Sequence, residues 1–486
     1  VIAAYAELAR ANAPVLTLVL LFGGASAAVL VPHARASWAL ALLAAFAALG
    51  VALLGAGAMF GAERPAFAEA GVALALEGGA GLMSALLAAL AALVVLGAAA
   101  RLDELERTAP YALALILCCA GGWTGALFAR DWFGVLGAAQ IGALSAVALT
   151  GLGGERDRGV LNGALRLWAI AGAGAGAMLL GAGLITRAAG GDGVAVLDAA
   201  LIDAPNMATL GFLLIALPLL AAAGAAPLHG WAGAAIGRSR DAIALAVGVL
   251  SVIGAISVLA RLSVHAERAP AVAGGVSAVF VALGAVTVAY GAVQSVGATS
   301  VRRLVAYAGA MQVGCILIAL ALGSPAGFAA ALLQILAWAA AALALLVGAA
   351  AAKDAQFASF NGLVRRAPFA SVAVTMGALS FMGAPLTLGF LGRWRLIEAS
   401  VGAGWWWATG ATIVASLAAV FFGGRLIERM YFRRATETAE IDRDGWRWTR
   451  AAVALVSIAA IALGIAPELL LQAVAGAAEL ALGHGS

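Results

Sequence analysis

The chain has 486 residues, of which 64% are hydrophobic and only 11% charged, and its mean hydropathy is +1.05. A soluble domain carries about 25% charged residues. A chain this apolar has too little polar surface to cover a core in water, so a soluble domain is excluded. The net charge of +4 resides in short loops and needs no nucleic-acid partner to explain it.

Apolar runs of about 20 residues, each long enough to cross ~30 Å of hydrocarbon, recur from end to end. Fourteen helices are predicted, at 13–32, 38–60, 80–100, 110–128, 133–152, 163–185, 207–226, 241–262, 271–291, 302–322, 326–350, 368–397, 404–424 and 449–468. Helices satisfy their own backbone hydrogen bonds in lipid, whereas a barrel would show alternation of polar and apolar residues, which is absent. The fold class expected is therefore an all-α polytopic membrane protein in the lipid bilayer. The first run is too internal to be a cleaved signal peptide. Cys118, Cys119 and Cys315 fall inside apolar runs and show neither a disulfide framework nor a metal spacing, so no metal is expected. The Trp405–Trp407 triplet reads as an aromatic belt.

Charge orients the bundle. Nineteen of the 28 basic residues fall in loops after odd-numbered spans, six on the opposite side (Arg261 and Arg268 among them), and Arg166, Arg393 and Arg395 lie within spans. Positive loops stay in the cytoplasm, so both termini are expected on the outer side of a bacterial-type inner membrane. Spans seven and twelve share an irregularity: Gly224-Ala225-Ala226-Pro227 ends one and Gly383-Ala384-Pro385 interrupts the other. Proline removes a backbone donor and glycine loosens the ladder. Breaks at corresponding places in two halves are read either as inverted repeats with a midplane pathway between them or as the ordinary occurrence of proline and glycine in membrane helices.

The residues around those breaks carry a resemblance. Pro227-Leu228-His229-Gly230-Trp231 resembles the Pro-x-His-x-Trp signature of the antiporter-like membrane subunits of respiratory complex I, the Mrp cation/proton antiporters and membrane-bound hydrogenases. Arg302-Arg303-Leu304-Val305-Ala306-Tyr307 with Gln312-Val313-Gly314 is similar to that family's Lys-Arg-Leu-Leu-Ala-Tyr…His-Met-Gly. Leu379-Ser380-Phe381-Met382-Gly383-Ala384-Pro385 with Gly389-Phe390-Leu391-Gly392-Arg393 resembles its twelfth-helix word. Asp131-Trp132-Phe133 through Gln140 matches the frame of its fifth helix, and Glu77–Met83 weakly echoes its third. The resemblance runs from about residue 77 to 400, in order. It implies two inverted five-helix bundles with broken helices seven and twelve. The units expected are 1–109 (helices one to three), 110–265 (first repeat), 266–430 (second repeat) and 431–486 (cytoplasmic loop and last helix).

Working members of that family pass a proton through buried ionisable groups at mid-membrane depth, where burial and opposite charges tune their pKa values. Carried over without gaps, the fifth-helix Glu falls on Gln140, the seventh-helix Lys on Ala222 and the eighth-helix Lys on Ile253, with Val252 or Ser251 if the frame slips. The family's tenth-helix His is Gln312, and the twelfth-helix ionisable residue is Arg393. Lys353 is the only lysine and belongs to a loop, so none is available to rescue these positions. Glutamine does not titrate, and arginine stays protonated. Arg395 and Glu398, three residues apart on one helix, are a candidate buried pair. His229 reads either as a path residue or as packing of the break, and Arg302 either as a path residue or as an interfacial anchor.

The sequence therefore leads to an antiporter-like membrane subunit of a multi-subunit proton/cation-translocating complex, beside other membrane subunits, with its own Glu/Lys path degraded and a scaffold or spacer role. One alternative is an active subunit using water with Gln140, His229, Gln312, Gln334 and the arginines; another is a stand-alone secondary transporter. There is no cysteine cluster, dinucleotide fingerprint or haem histidine pair, so no cofactor is expected. The chain is at most a non-redox membrane subunit of a translocase such as NADH-quinone oxidoreductase.

Overall fold

The computed structural model describes residues 2–58, 66–69, 72–76, 79–99, 102, 108–153, 157–352, 354–434 and 446–482. Among the described residues, twelve helices are long and apolar enough to cross a membrane, from Ala13–Leu30 to Trp406–Phe432, and they fall on the first eleven expected spans and the thirteenth. The twelfth span is two shorter helices, Pro368–Met382 and Leu388–Gly402, and Trp446–Ile465 stands where the fourteenth is expected. Spans one, four, seven, nine, eleven and the first half of twelve each carry a proline in the first turn. There it has no hydrogen bond to lose, and its φ is preset for a helix.

Several elements lie outside the fourteen, three of them near the ends or beside the third span. A helix at Ile2–Ala11 precedes the first span, and Glu468–Leu482 packs along span eleven at the carboxy-terminal end. An antiparallel hairpin pairs Ala66–Glu69 with Val72–Ala75, two short strands in an otherwise helical fold. The hairpin is held by partners distant in sequence: the Arg130 N–H donates to the Ala73 carbonyl at 3.0 Å, and Leu74 bridges Ala129. Glu77 and Gly78 of the third-helix word, and Lys353, lie outside the described residues.

Spans four to eight and nine to thirteen repeat one another. Five is odd, so the second set enters the membrane from the opposite face. Span five packs on four as span ten packs on nine, and span seven packs on six as the first half of twelve packs on eleven. Local hydrogen bonding agrees. Asp131 accepts the Gly134 N–H at 2.7 Å at the start of span five, and Ser300 accepts the Arg303 N–H at 3.3 Å at the start of span ten. The same two residues make isolated bridges to Gly193 and Gln356, each in the long connection before the broken helix of its repeat.

Span eight differs from its expected limits. It runs Asp241–Glu267, with a π-helical turn at Ala246–Ser251 just before Ile253. Arg261, expected on the outer side among the loop cations, is inside the helix and 9% exposed. Its Nη1 and Nη2 donate to the carbonyls of Ala126 and Ala129 at 2.9 and 2.7 Å, capping the carboxy-terminal end of span four. Arg425 of span thirteen does the same for span nine, donating to Val296 at 2.6 Å and Ala298 at 3.0 Å. A guanidinium suits these ends because unpaired carbonyls and the helix dipole both attract it.

Candidate functional site

The two helix breaks are built alike. Gly224 and Gly383 have φ of 75° and 76°, the left-handed conformation glycine adopts most readily. In each, two N–H groups fold back on the last turn: Gly224 to Ala221 and Ala225 to Leu220 in span seven, Gly383 to Ser380 and Ala384 to Leu379 in span twelve. Both are Schellman endings. Pro227 and Pro385 follow, and neither could continue the ladder. Each chain then resumes as a second helix, Ala232–Arg238 or Leu388–Gly402, the latter capped by Thr387. In each, a side chain from beyond the break returns to a carbonyl of the last turn. Trp231 Nε1 donates to the Ala221 carbonyl at 2.9 Å, and Arg393 Nη2 donates to the Phe381 carbonyl.

The structure brings together some of the expected path positions. Gln140 and Ala222 line one small cavity between spans five, six and seven, with Trp123, Leu167, Met178 and Pro218 among its walls and no ionisable side chain. Ile253 is wholly buried. Its neighbour Ser251 accepts a hydrogen bond from Trp123 Nε1 at 3.1 Å. The same indole packs against two glycines: a Cβ at Gly142 would lie 2.9 Å from Trp123 Cε2, and one at Gly254 would lie 2.6 Å from Trp123 Cβ. Trp123 therefore fills the junction of spans four, five and eight.

In the second repeat, Gln334 Nε2 donates to Gln312 Oε1, joining spans eleven and ten, and both residues are 2% exposed. A Cβ at Gly392 would fall 2.6 Å from Gln334 Oε1, so this amide pair abuts the residue before Arg393. Arg393 is 5% exposed. His229 stacks on Tyr290 at 3.6 Å between ring centroids, and Tyr290 meets Tyr307 edge-on at 6.2 Å. His229 is thus packed against the second repeat and stands apart from the Gln140 cavity. Arg395 and Glu398 do pair, at 2.8 Å, but their side chains are 43% and 55% exposed, so the pair is not buried. Their spacing on the helix brings them together without settling which way that face points.

Three groups were missed in the sequence. Asp241, 8% exposed, accepts from Arg302 Nε at 2.6 Å, so Arg302 ties span ten to span eight as well as marking a helix start. The repeat-related caps Arg261 and Arg425 are the second. The third is Asp198, on the short helix Val196–Asp203, which lies 2.8 Å from His265 Nδ1 and 3.1 Å from Arg268 Nη1. Burial raises the Asp198 carboxyl, but the hydrogen bonds and charges of His265 and Arg268 outweigh it and hold the group below its ordinary value. Arg268 also donates to the Ala481 carbonyl, fastening the carboxy-terminal helix. A charged residue near a helix end is a weak signal for such contacts, because the partner lies on another span.

A family model described as the NADH:quinone oxidoreductase/Mrp antiporter transmembrane family matches residues 129–419, from just after span four into span thirteen. The chain belongs to that family. Among relatives, it is 28% identical over 291 residues to NADH-quinone oxidoreductase subunit N of Mycobacterium tuberculosis, covering 57% of this chain and 53% of that one. The match thus spans about half of the relative's length. Two solved structures share the fold over 97% of both chains: a subunit of the Mrp complex from Dietzia, with a TM-score of 0.85 and 19% identity, and one of an archaeal membrane-bound sulfane sulfur reductase, with 0.82 and 21%. Gln140 is an amide, Ala222 an alkyl group, Ile253 a buried side chain beside the Ser251 hydroxyl, Gln312 and Gln334 an amide pair, and Arg393 a guanidinium. None of the neutral groups releases a proton near neutral pH, and arginine keeps its own.

Proposed function

We propose that this chain is an antiporter-like membrane subunit of a multi-subunit proton/cation-translocating complex, complex I-like, Mrp-like or hydrogenase-like, and that it serves there as a scaffold or spacer whose own proton path is degraded. The observation that carries this reading is the cavity shared by Gln140 and Ala222. The family frame puts a Glu and a Lys at these positions, and here the cavity has no ionisable lining. The relatives' names, which are those of subunits, support a setting among other membrane subunits. We take 110–265 and 266–430 as the two repeats, and both termini as outward-facing in a bacterial-type inner membrane, the latter supported by the loop charges.

The buried Gln312–Gln334 pair beside Arg393 favours a second reading, in which water and these amides carry a proton. One experiment separates the two. Proton pumping or ion exchange by the assembled complex is measured in vesicles and normalised to turnover, with and without Gln140→Leu. A degraded path predicts an unchanged ratio, because the substitution costs at most one hydrogen bond of about 1 kcal/mol. A sharp fall with assembly intact would overturn the scaffold reading and place Gln140 in a working route.

A further inference from the structure

The second break contains a cation of its own. Arg393 is 5% exposed, and its Nη2 donates to Phe381 in the last turn of Pro368–Met382. Its Nε and Nη1 have no hydrogen-bond partner among the described residues, and no carboxylate there pairs with it. The guanidinium is closely held: a Cβ at Gly383 would lie 2.6 Å from Nη1. The nearby acceptors are neutral oxygens. They are the Phe381 carbonyl of the half-helix end, which Arg393 caps, and Gln334 Oε1 beside the preceding residue Gly392, itself without a donor. In the repeat-related break, the side chain that returns to the last turn is the neutral Trp231, on the Ala221 carbonyl.

The carboxy-terminal end of a half-helix carries partial negative charge, and in broken membrane helices such ends and unwound carbonyls coordinate monovalent cations. Neutral oxygens suit sodium or potassium, since a divalent ion is usually bound with carboxylates. We propose that the Arg393 guanidinium is a tethered cation that occupies, and so closes, a monovalent-cation site formed by the Phe381 carbonyl of the break and Gln334. Arginine keeps its charge and cannot diffuse away. The site is therefore permanently filled, and an ion that would otherwise rest there is excluded. This inference rests on the scaffold reading, in which a subunit that moves no protons must also not leak.

The test uses membrane vesicles and purified complex containing the full chain as wild type, Arg393→Ala, Arg393→Gln or Arg393→Lys. Passive rubidium uptake is measured in vesicles. The thermal midpoint of the complex is compared in choline, sodium and potassium chloride at equal ionic strength. Arg393→Ala and Arg393→Gln are expected to raise rubidium uptake several-fold, with a midpoint that climbs saturably with sodium or potassium as an ion stabilises the state it binds. Wild type and Arg393→Lys are expected to show neither effect, because an ammonium still fills the site. A variant that fails to assemble in choline is expected to assemble in sodium or potassium. Assembly with no ion dependence and no leak, or failure in all three media, overturns the proposal. The Gln140→Leu pumping ratio is read independently, so failure of the scaffold reading is distinguishable from failure of this one.

Discussion

Removing the Arg261 guanidinium by Arg261→Met keeps an unbranched apolar side chain but deletes two hydrogen bonds to span four, at 2.9 and 2.7 Å. A hydrogen bond to a charged group contributes about 1.5–3 kcal/mol. Two of them set a ceiling of roughly 3–6 kcal/mol, and partial repair of the freed carbonyls by water or 3₁₀ turns brings the expected loss to about 3 kcal/mol. Arg261→Lys can restore the charge at the helix end but not the two-pronged geometry, and is expected to lose about half as much. Arg425→Met should behave like Arg261→Met, with a further contribution from lost contact with Phe357, whose ring centroid lies 5.2 Å from the guanidinium carbon. The two caps sit in different repeats with no shared partner, so the double variant should be additive within about 0.5 kcal/mol. Thermal unfolding of the detergent-solubilised chain, followed by size-exclusion chromatography, gives the ranking. If Arg261→Met stays within about 0.5 kcal/mol of wild type, or Lys proves no better than Met, the capping account is wrong.

Gly254→Ala places a methyl 2.6 Å from Trp123 Cβ and should destabilise by about 1–3 kcal/mol through overpacking despite alanine's better helix propensity; an unchanged thermal midpoint would contradict the packing described for Trp123. Because the folded-state pKa of Asp198 is lowered, its contribution is fully present above the unfolded carboxyl value near 4 and is lost as pH falls through the folded one. Asp198→Asn should therefore lower stability at pH 7 and flatten its decline in acid, and equal acid sensitivity in both proteins would refute the pairing with His265 and Arg268. Gln140→Glu alone should leave ion flux unchanged, since an unpaired carboxyl in this apolar cavity stays neutral. Gln140→Glu with Ala222→Lys should restore a pH-dependent flux, and the absence of any difference between the single and double variants would show that the two positions do not face each other as inferred.

The parts of this molecule legible in its sequence were those written in local chemistry. Spans follow from runs of apolar residues, and both breaks follow from Gly and Pro close together. Non-local contacts were not legible. Span eight was expected to end at 262, whereas it runs on to Glu267, with Arg261 and His265 satisfied by carbonyls of span four and by the Asp198 carboxylate. The hairpin went unseen because its alanine-rich strands lack a strong alternation and take part of their support from a loop more than fifty residues away. The same limit applies at the candidate site. That the chain has a single lysine is a compositional fact. That Trp123 packs into the junction beside the Gln140 cavity is a packing fact, visible only once spans four, five and eight are set side by side. A lysine restored on span eight beside that junction would need room as well as a partner, because a core packed this closely resists added atoms.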